Sequence, residues 1–217
     1  MLKADLHIHS QYSMDCNMPL EKIIERCQEL GVNCIALCDH GTAEGALKLR
    51  EIAPFRVIVA EEVLTPYGEI MGLFLKETIP SGLSVEETIA RIRAQGGLVG
   101  IPHPFDTFRH SAMKGQIIEE IADQIDIFEV LNARGILGRD SAKAEAFAAK
   151  YGLIRSAGSD AHTPGEIGNA YVEMPDFKGR DDFLEALKKG KISGHRSSPL
   201  IHFASLWARI KSKLSGK

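Results

Sequence analysis

The chain has 217 residues, 44% of them hydrophobic and 25% charged, with a formal net charge of −3. At that length one core can bury most of the apolar surface, so a single globular domain is expected. The slight acidity excludes a general nucleic-acid binder, which would be basic. No apolar run is long enough to span a bilayer, and four cysteines in a chain of this size are too few for a secreted disulfide scaffold.

In chain order, residues 3–8 form the first predicted strand. Pro19 opens a helix reaching residue 30, with Leu20, Ile23, Ile24 and Cys27 on one stripe and Gly31 just past its end. Residues 33–38 form a second strand, in which Cys34 and Cys38 read as small buried apolar residues rather than metal ligands. Thr42 is placed to cap a helix over 43–52. Two further strands, 56–63 and 69–75, are joined by a hairpin-like turn at Thr65-Pro66-Tyr67-Gly68. Ser84 with Glu87 makes a capping box for the next helix. Then follow a short buried strand at 98–101, a helix around 116–121, a strand at 126–131 and an alanine-rich helix at 140–151. A strand at 153–157, another at 170–174 and a helix at 180–189 complete the pattern. Alternating strands and helices predict a mostly parallel sheet.

Five polar clusters sit at the ends of these strands: Asp5-Leu6-His7-Ile8-His9-Ser10, Asp39-His40, Glu61-Glu62, His103-Pro104, and Gly158-Ser159-Asp160-Ala161-His162. In an open sheet only the loops near the switch point share a site. A closed barrel gathers every strand's C-terminal end at one face. The chain is short for an eight-fold barrel of about 250 residues, so a smaller, irregular one is expected. His7 and His9, two apart on a strand, point to one face, with Leu6 and Ile8 turned away. Asp5 is positioned to support a histidine from behind. Alternation lets only one of Glu61 and Glu62 point inward. Asp15, in the loop after the first strand, is a further candidate ligand. Converging imidazoles and carboxylates are the donor set of a hydrolytic metal centre using zinc, manganese or iron. Arg109, Arg134 and Arg139 follow strands on the same face and offer forks for phosphate oxygens. Arg134 is the first choice because it directly follows a strand. His110, His195 and His202 lack a strand-end context and read as loop or surface residues.

The order and character of these motifs resemble the PHP (polymerase and histidinol phosphatase) family of metallohydrolases, along nearly the whole chain up to about residue 199. The resemblance implies a distorted, seven-stranded (β/α) barrel with two or three divalent metal ions at the C-terminal strand ends. Carried over residue by residue, one ion would take His7, His9, Glu62 and Asp160. A second would share Glu62 and use His103. A third would take Asp15, His40 and His162. Glu62 is preferred to Glu61 because Ala60-Glu61-Glu62-Val63 looks like the family's small-x-Glu-apolar pattern. A histidine that many members carry after that glutamate is missing here, so Glu69 or Glu129 is expected to complete the second set. The implied activity is hydrolysis of a small phosphate ester, of nucleotide, sugar phosphate or histidinol phosphate type, by a metal-bridging hydroxide. His40 or His162 would protonate the leaving oxygen and Arg134 would offset phosphate charge. The rival readings are metal-assisted hydrolysis of another bond, such as an amide, and a non-catalytic metal-stabilised module.

Residues 1–199 form the expected domain. Within 200–217, the stripe of Phe203, Leu206, Trp207, Ile210 and Leu214 predicts an amphipathic helix docked on the domain or on a dimer mate rather than on a membrane. The N-terminus has no signal-peptide pattern, and with the free cysteines it predicts a cytoplasmic protein.

Overall fold

The computed structural model describes residues 1–197. The predicted amphipathic helix within 200–217, with His202, lies outside the described residues. The elements run β1 (Leu2–Ile8), α1 (Leu20–Leu30), β2 (Cys34–Leu37), α2 (Glu44–Ile52), β3 (Arg56–Thr65), β4 (Gly68–Leu73), α3 (Val85–Ala94) and β5 (Leu98–Ile101). They continue through α4 (Gly115–Glu120), β6 (Ile127–Asn132), α5 (Gly138–Tyr151), β7 (Ile154–Gly158), β8 (Ala170–Met174), α6 (Arg180–Lys188) and β9 (Lys191–Gly194).

Local chemistry explains the boundaries. Gly31 and Gly152 close α1 and α5 in the left-handed conformation, with φ of 66° at each. The Ser84 hydroxyl accepts from the Glu87 amide at 3.2 Å and caps α3. Thr42 accepts from the Glu44 amide at 3.1 Å, one residue outside the Ala43 N-cap.

The strands form one sheet in the order β7-β6-β5-β4-β3-β2-β1-β8-β9. Only β4 among the first seven runs antiparallel to its neighbours, because a tight turn joins it to β3. The sheet curls until β7 returns to β1. Beyond β7, the Asp160 amide donates to the His7 carbonyl at 2.7 Å, and the His9 amide donates to the Ala161 carbonyl at 2.9 Å. The N-terminal half of the same β1 edge pairs with β8, antiparallel. The fold is therefore the expected distorted, nearly closed α/β barrel, with nine strands among the described residues where seven were implied. The extra pair is the β8–β9 ribbon. The short, half-exposed β9, Lys-Ile-Ser-Gly, carries too little apolar pattern to be read as a strand.

Two layers of core follow from strand alternation. Ala4, Leu6, Cys34, Ala36, Cys38, Ile58, Ala60, Met71, Leu73 and Ala157 fill the barrel, and Phe183 and Leu187 of α6 pack into the same cluster. Ile35, Leu37, Val57, Val59, Val99, Phe128 and Val130 face outward beneath the helices. The small inner residues let opposite strands approach. Cys34 and Cys38 are buried members of this inner layer, free rather than disulfide-bonded, and burial pushes the Cys34 thiol up to about 12. Leu6 departs from the alternation expected of it. A register shift between Asp5 and Ile8 puts Leu6 inside the barrel below His7, while Ile8 packs outward. Among the described residues no helix is long and apolar enough to cross a membrane.

Closure depends on a bare backbone at Gly158. A Cβ there would lie 2.2 Å from the His7 Cβ and 2.7 Å from the His7 amide nitrogen. Gly158→Ala should therefore destabilise the fold by about 3 kcal/mol, as overpacking against fixed backbone does. Gly165→Ala, which meets nothing within 4 Å, should stay within about 0.5 kcal/mol of the parent. Denaturant unfolding of both variants checks this pair of expectations.

Candidate metal centre

Alternation that fills the barrel with small residues also delivers its polar lid. Ile58, Ala60 and Glu62 continue one inward row on β3, as do Cys34, Ala36, Cys38 and His40 through β2. Ile127 and Glu129 do the same on β6, and Leu73, Met71 and Glu69 on the antiparallel β4. The bulge in β1 brings His7 and His9 to the same level. His103 and Asp160 enter from loops, and both hold left-handed backbone, with φ of 30° and 54°. That conformation is costly for a residue with a side chain and recurs at functional sites.

Glu62 lies at the centre. Its Oε1 is 3.3 Å from His7 Nε2 and 2.9 Å from His103 Nε2, and its Oε2 is 3.3 Å from both His9 Nε2 and His40 Nδ1. Asp160 Oδ1 lies 3.2 Å from His9 Nε2 and 3.7 Å from His7 Nε2. On the outer side, His162 Nε2 and His40 Nε2 face Asp15 at 3.3 and 3.5 Å. Glu69 reaches His40 Nδ1 at 3.2 Å and His103 Nε2 at 3.4 Å. Donor atoms thus gather in overlapping groups: His7, His9 and Asp160; His7, Glu62 and His103; His40, Glu62 and Glu69; and His9, Asp15, His40 and His162.

The neighbours decide which ring atoms face inward. Glu129 Oε1 accepts from His7 Nδ1 at 3.0 Å, so Nε2 faces the basin. Glu129 Oε2 holds the His103 amide at 2.6 Å. Of the two acids expected to complete the second set, Glu69 therefore lies in the basin and Glu129 behind it. His162 Nδ1 donates to the Asp160 carbonyl at 2.8 Å, which leaves its Nε2 lone pair facing Asp15. Asp5 does not meet a histidine ring. It accepts from the backbone amides of Ser159 and Gly168, at 2.9 Å each, and of His7, tying β1 to the loop that carries Asp160. Glu61 points the other way and accepts from the Ile79 amide at 2.9 Å, with burial raising its carboxyl to about 7.

Charge balance reinforces this geometry. Burial works to neutralise Glu62, but His7 and His40 outweigh it and hold the carboxyl well below the usual range. Burial opposes charge on His7 as well, and Glu62, Glu129 and Asp160 overcome it and raise the imidazole. Burial and the neighbouring His9 lower His162 to about 4, so that ring is neutral. The basin calls for positive charge, as protons or as metal ions. Its donor set fits metal. His7 Nε2 and His162 Nε2, each on a ring whose Nδ1 is committed to an oxygen, face other donor atoms across the basin, contacts that a shared proton or an intervening cation makes favourable. Glu62 Oε2, Glu69 Oε2 and Asp160 Oδ1 are buried without a hydrogen bond of normal geometry. A tetrahedral ion with bonds of about 2.0–2.2 Å has ligand–ligand edges of about 3.3–3.6 Å, close to the spacings around Glu62.

The arginines separate. The Arg109 side chain, 19% exposed, donates from Nη2 to Asp160 Oδ2 at 2.5 Å, with Nε 3.8 Å from Asp106 Oδ2, and like His40, which is 13% exposed, it lies on the open side of the basin. Arg134 is only 4% exposed and turns beneath the Asp160 loop, with Nε 3.5 Å from Glu166 Oε1. Arg139 is a surface residue paired with Asp140 at 3.8 Å. His110 and His195 are exposed. Two contributors escaped the sequence reading. Asn132 donates to Glu129 and to Asp160 Oδ2, and Glu166 accepts from the His162 amide. Asn132 ends a strand as the other clusters do, which was a usable signal. Glu166 carries no comparable mark.

Comparison with known proteins adds sequence and fold relationships. Residues 5–70 match the model of the PHP domain, and residues 138–192 match that of a PHP-associated region. An uncharacterized protein of Methanocaldococcus jannaschii is 36% identical over 198 residues, covering 86% of this chain and 79% of its own length. Two solved structures share the fold at low identity. One is a two-domain protein of Bacteroides vulgatus containing a predicted PHP-like metal-dependent phosphoesterase, with TM-score 0.69, 16% identity, and coverage of 89% of this chain and 65% of that one. The other is an amidohydrolase of Chromobacterium violaceum with bound sulfate and no metal, with TM-score 0.62, 17% identity, and coverage of 94% and 96%.

The position of Glu62 gives a sharp expectation. Glu62→Gln removes negative charge from between two cation positions, and the amide nitrogen cannot bind metal. This variant should lose at least one equivalent of bound divalent ion. Glu61→Gln should keep its metal, since that carboxyl lies outside the basin and is readily neutral. Metal analysis after equilibrium dialysis distinguishes them, and the reverse result would place the wrong glutamate at the centre.

Proposed function

This chain belongs to the PHP family, and on that premise we propose that it is a metal-dependent phosphoesterase acting on a small phosphate ester. The observation that carries the reading is His7, locked by Glu129 so that its Nε2 meets donor atoms of His9, Glu62 and Asp160 within 3.1 to 3.7 Å. In this proposal His7, His9, Glu62 and Asp160 would hold one ion, Glu62, His103 and Glu69 a second, and Asp15, His40 and His162 a third. Zinc, manganese and iron all suit such mixed nitrogen and oxygen donors. Ions bound there would supply Lewis-acid polarisation of the phosphoryl group and a lowered pKa for water.

The protein's own groups supply the rest. Arg109 stands at the open side with donors beyond the one given to Asp160, so it can take a phosphoryl oxygen from the front. It assumes the role that sequence alone gave to Arg134. The full burial of His7, His9, Glu62 and Asp160 excludes bulk water from the basin floor and strengthens every charge interaction there. Attack of water on phosphorus in line with the leaving oxygen breaks the ester bond, and the leaving alcohol takes up a proton. His162 commits its Nδ1 proton to the Asp160 carbonyl. His40, nearer the mouth, can hold the transferable proton at Nδ1 between Glu62 and Glu69.

A second reading, hydrolysis of an amide bond, is favoured only by the name of the Chromobacterium violaceum neighbour. Chelated protein reconstituted with zinc, manganese or iron and offered parallel panels of phosphoesters and amides separates the two. Turnover of phosphoesters that vanishes on chelation and returns with metal is expected. Full turnover in metal-free protein, or activity on amides alone, would overturn the proposal. Arg109→Ala should lower kcat/KM for a phosphoester about a hundredfold, or about 2.7 kcal/mol. Its metal content should stay unchanged, because Asn132 still holds Asp160 Oδ2 at 3.2 Å.

A further inference from the structure

Asp160 and His162 supply donors to different groups in the basin, yet both hang from one loop after β7. Their side chains must be aimed together. The loop is fixed to β1 on one side by the Asp160 amide and the Ala161 carbonyl. Its other side rests on the segment leaving β6. There Asn132 Oδ1 accepts from the Arg134 amide at 2.9 Å and shapes the turn. Arg134 Nη1 reaches the Asp160 carbonyl at 3.5 Å, the same carbonyl that fixes His162 Nδ1. Arg134 Nε faces Glu166 Oε1 at 3.5 Å. Glu166 Oε2 in turn accepts from the His162 amide at 3.2 Å and the Thr163 hydroxyl at 2.9 Å. Both members of the pair are almost fully buried, with side-chain exposures of 4% and 3%.

We propose that Arg134 and Glu166 form a buried latch that positions the Asp160–His162 loop for metal binding. Arg134 is then a positioning residue rather than a substrate contact. The latch acts at two points, the Asp160 carbonyl and the His162 amide, each on the backbone of a residue whose side chain enters the basin. A buried ion pair contributes little net stability on its own, but loss of one partner leaves the other's buried charge less well matched. The loop would then shift to re-solvate that charge, carrying Asp160 Oδ1 away from His7 and His9, and His162 Nε2 away from Asp15. The inference rests on the metal-centre reading and deepens it.

The test is a zinc titration in competition with a chromophoric chelator, on wild type, Arg134→Met, Glu166→Gln and the double variant. Metal-free melting curves run alongside to show that each protein is folded. Glu166→Gln keeps an amide oxygen for His162 and Thr163 but turns an NH2 toward Arg134, so it breaks the charge pair while retaining the shape. Both single variants should bind zinc about ten- to a hundredfold more weakly, the usual effect of losing a group behind a ligand. Their defects should be less than additive in the double variant. In the loaded enzymes kcat should fall while KM stays within about twofold. If Arg134→Met does not fold, Glu166→Gln alone decides the question. Wild-type zinc affinity in the folded single variants would overturn the latch. So would a raised KM confined to Arg134→Met, which would mark Arg134 as a substrate contact. Wild-type protein that binds no zinc, manganese or iron would overturn the metal-centre reading, and the latch with it.

Discussion

The return of the sheet onto β1 is the constraint from which the site follows. Two backbone hydrogen bonds, from the Asp160 amide to the His7 carbonyl and from the His9 amide to the Ala161 carbonyl, set the β7 exit loop beside the bulged end of β1. Without that contact His7 and His9 would face an open edge, and Asp160 would have no fixed relation to Glu62 on β3. Gly158 permits the approach, and the small inner residues Ala4, Ala36, Ala60 and Ala157 let the ring draw tight. Packing density and metal-site geometry are thus two results of the same closure.

The polar lid is costly before any ion binds. Buried carboxylates and imidazoles lose hydration, and unpaired charges in a low-dielectric interior are strongly destabilising. The lid offsets this internally, with imidazoles holding Glu62 ionised, Arg109 and then His7 holding Asp160 ionised, and carboxylates holding His7 and His40 toward the cationic form. Divalent ions held by the same donors would satisfy this demand without a shuffling of protons. Binding energy realised only in the folded state adds to stability by mass action, so the centre and the fold support each other.

Much of this was legible in the sequence because it rests on short-range rules. The strand-end clusters, the hairpin at Thr65-Pro66-Tyr67-Gly68, the Ser84 cap and the glycine helix stops follow from local periodicity and backbone preference. The inward choice of Glu62 over Glu61 followed from the family pattern, and strand alternation agrees with it. Features set by tertiary contact were not legible. Nothing in Leu6-His7 announces the bulge that turns Leu6 inward. Strand β9 exists because β8 offers it an edge, not because Lys191 to Gly194 favour extension. Arginine side chains are long enough that position after a strand does not fix their aim: Arg134, the natural choice from sequence, turns under the loop, and Arg109 reaches the mouth from a longer loop. Glu166 could be recognised only once Arg134 had been placed.

The claim that this lid is a metal centre is tested most directly by anomalous diffraction from crystals of the metal-loaded protein, recorded on both sides of the metal's absorption edge. The account predicts anomalous peaks within about 2.0–2.2 Å of donor atoms, one among His7, His9, Glu62 and Asp160 and another among Asp15, His40 and His162. An anomalous map with no peak inside the ring of strand ends, or with metal only at surface residues, would contradict it.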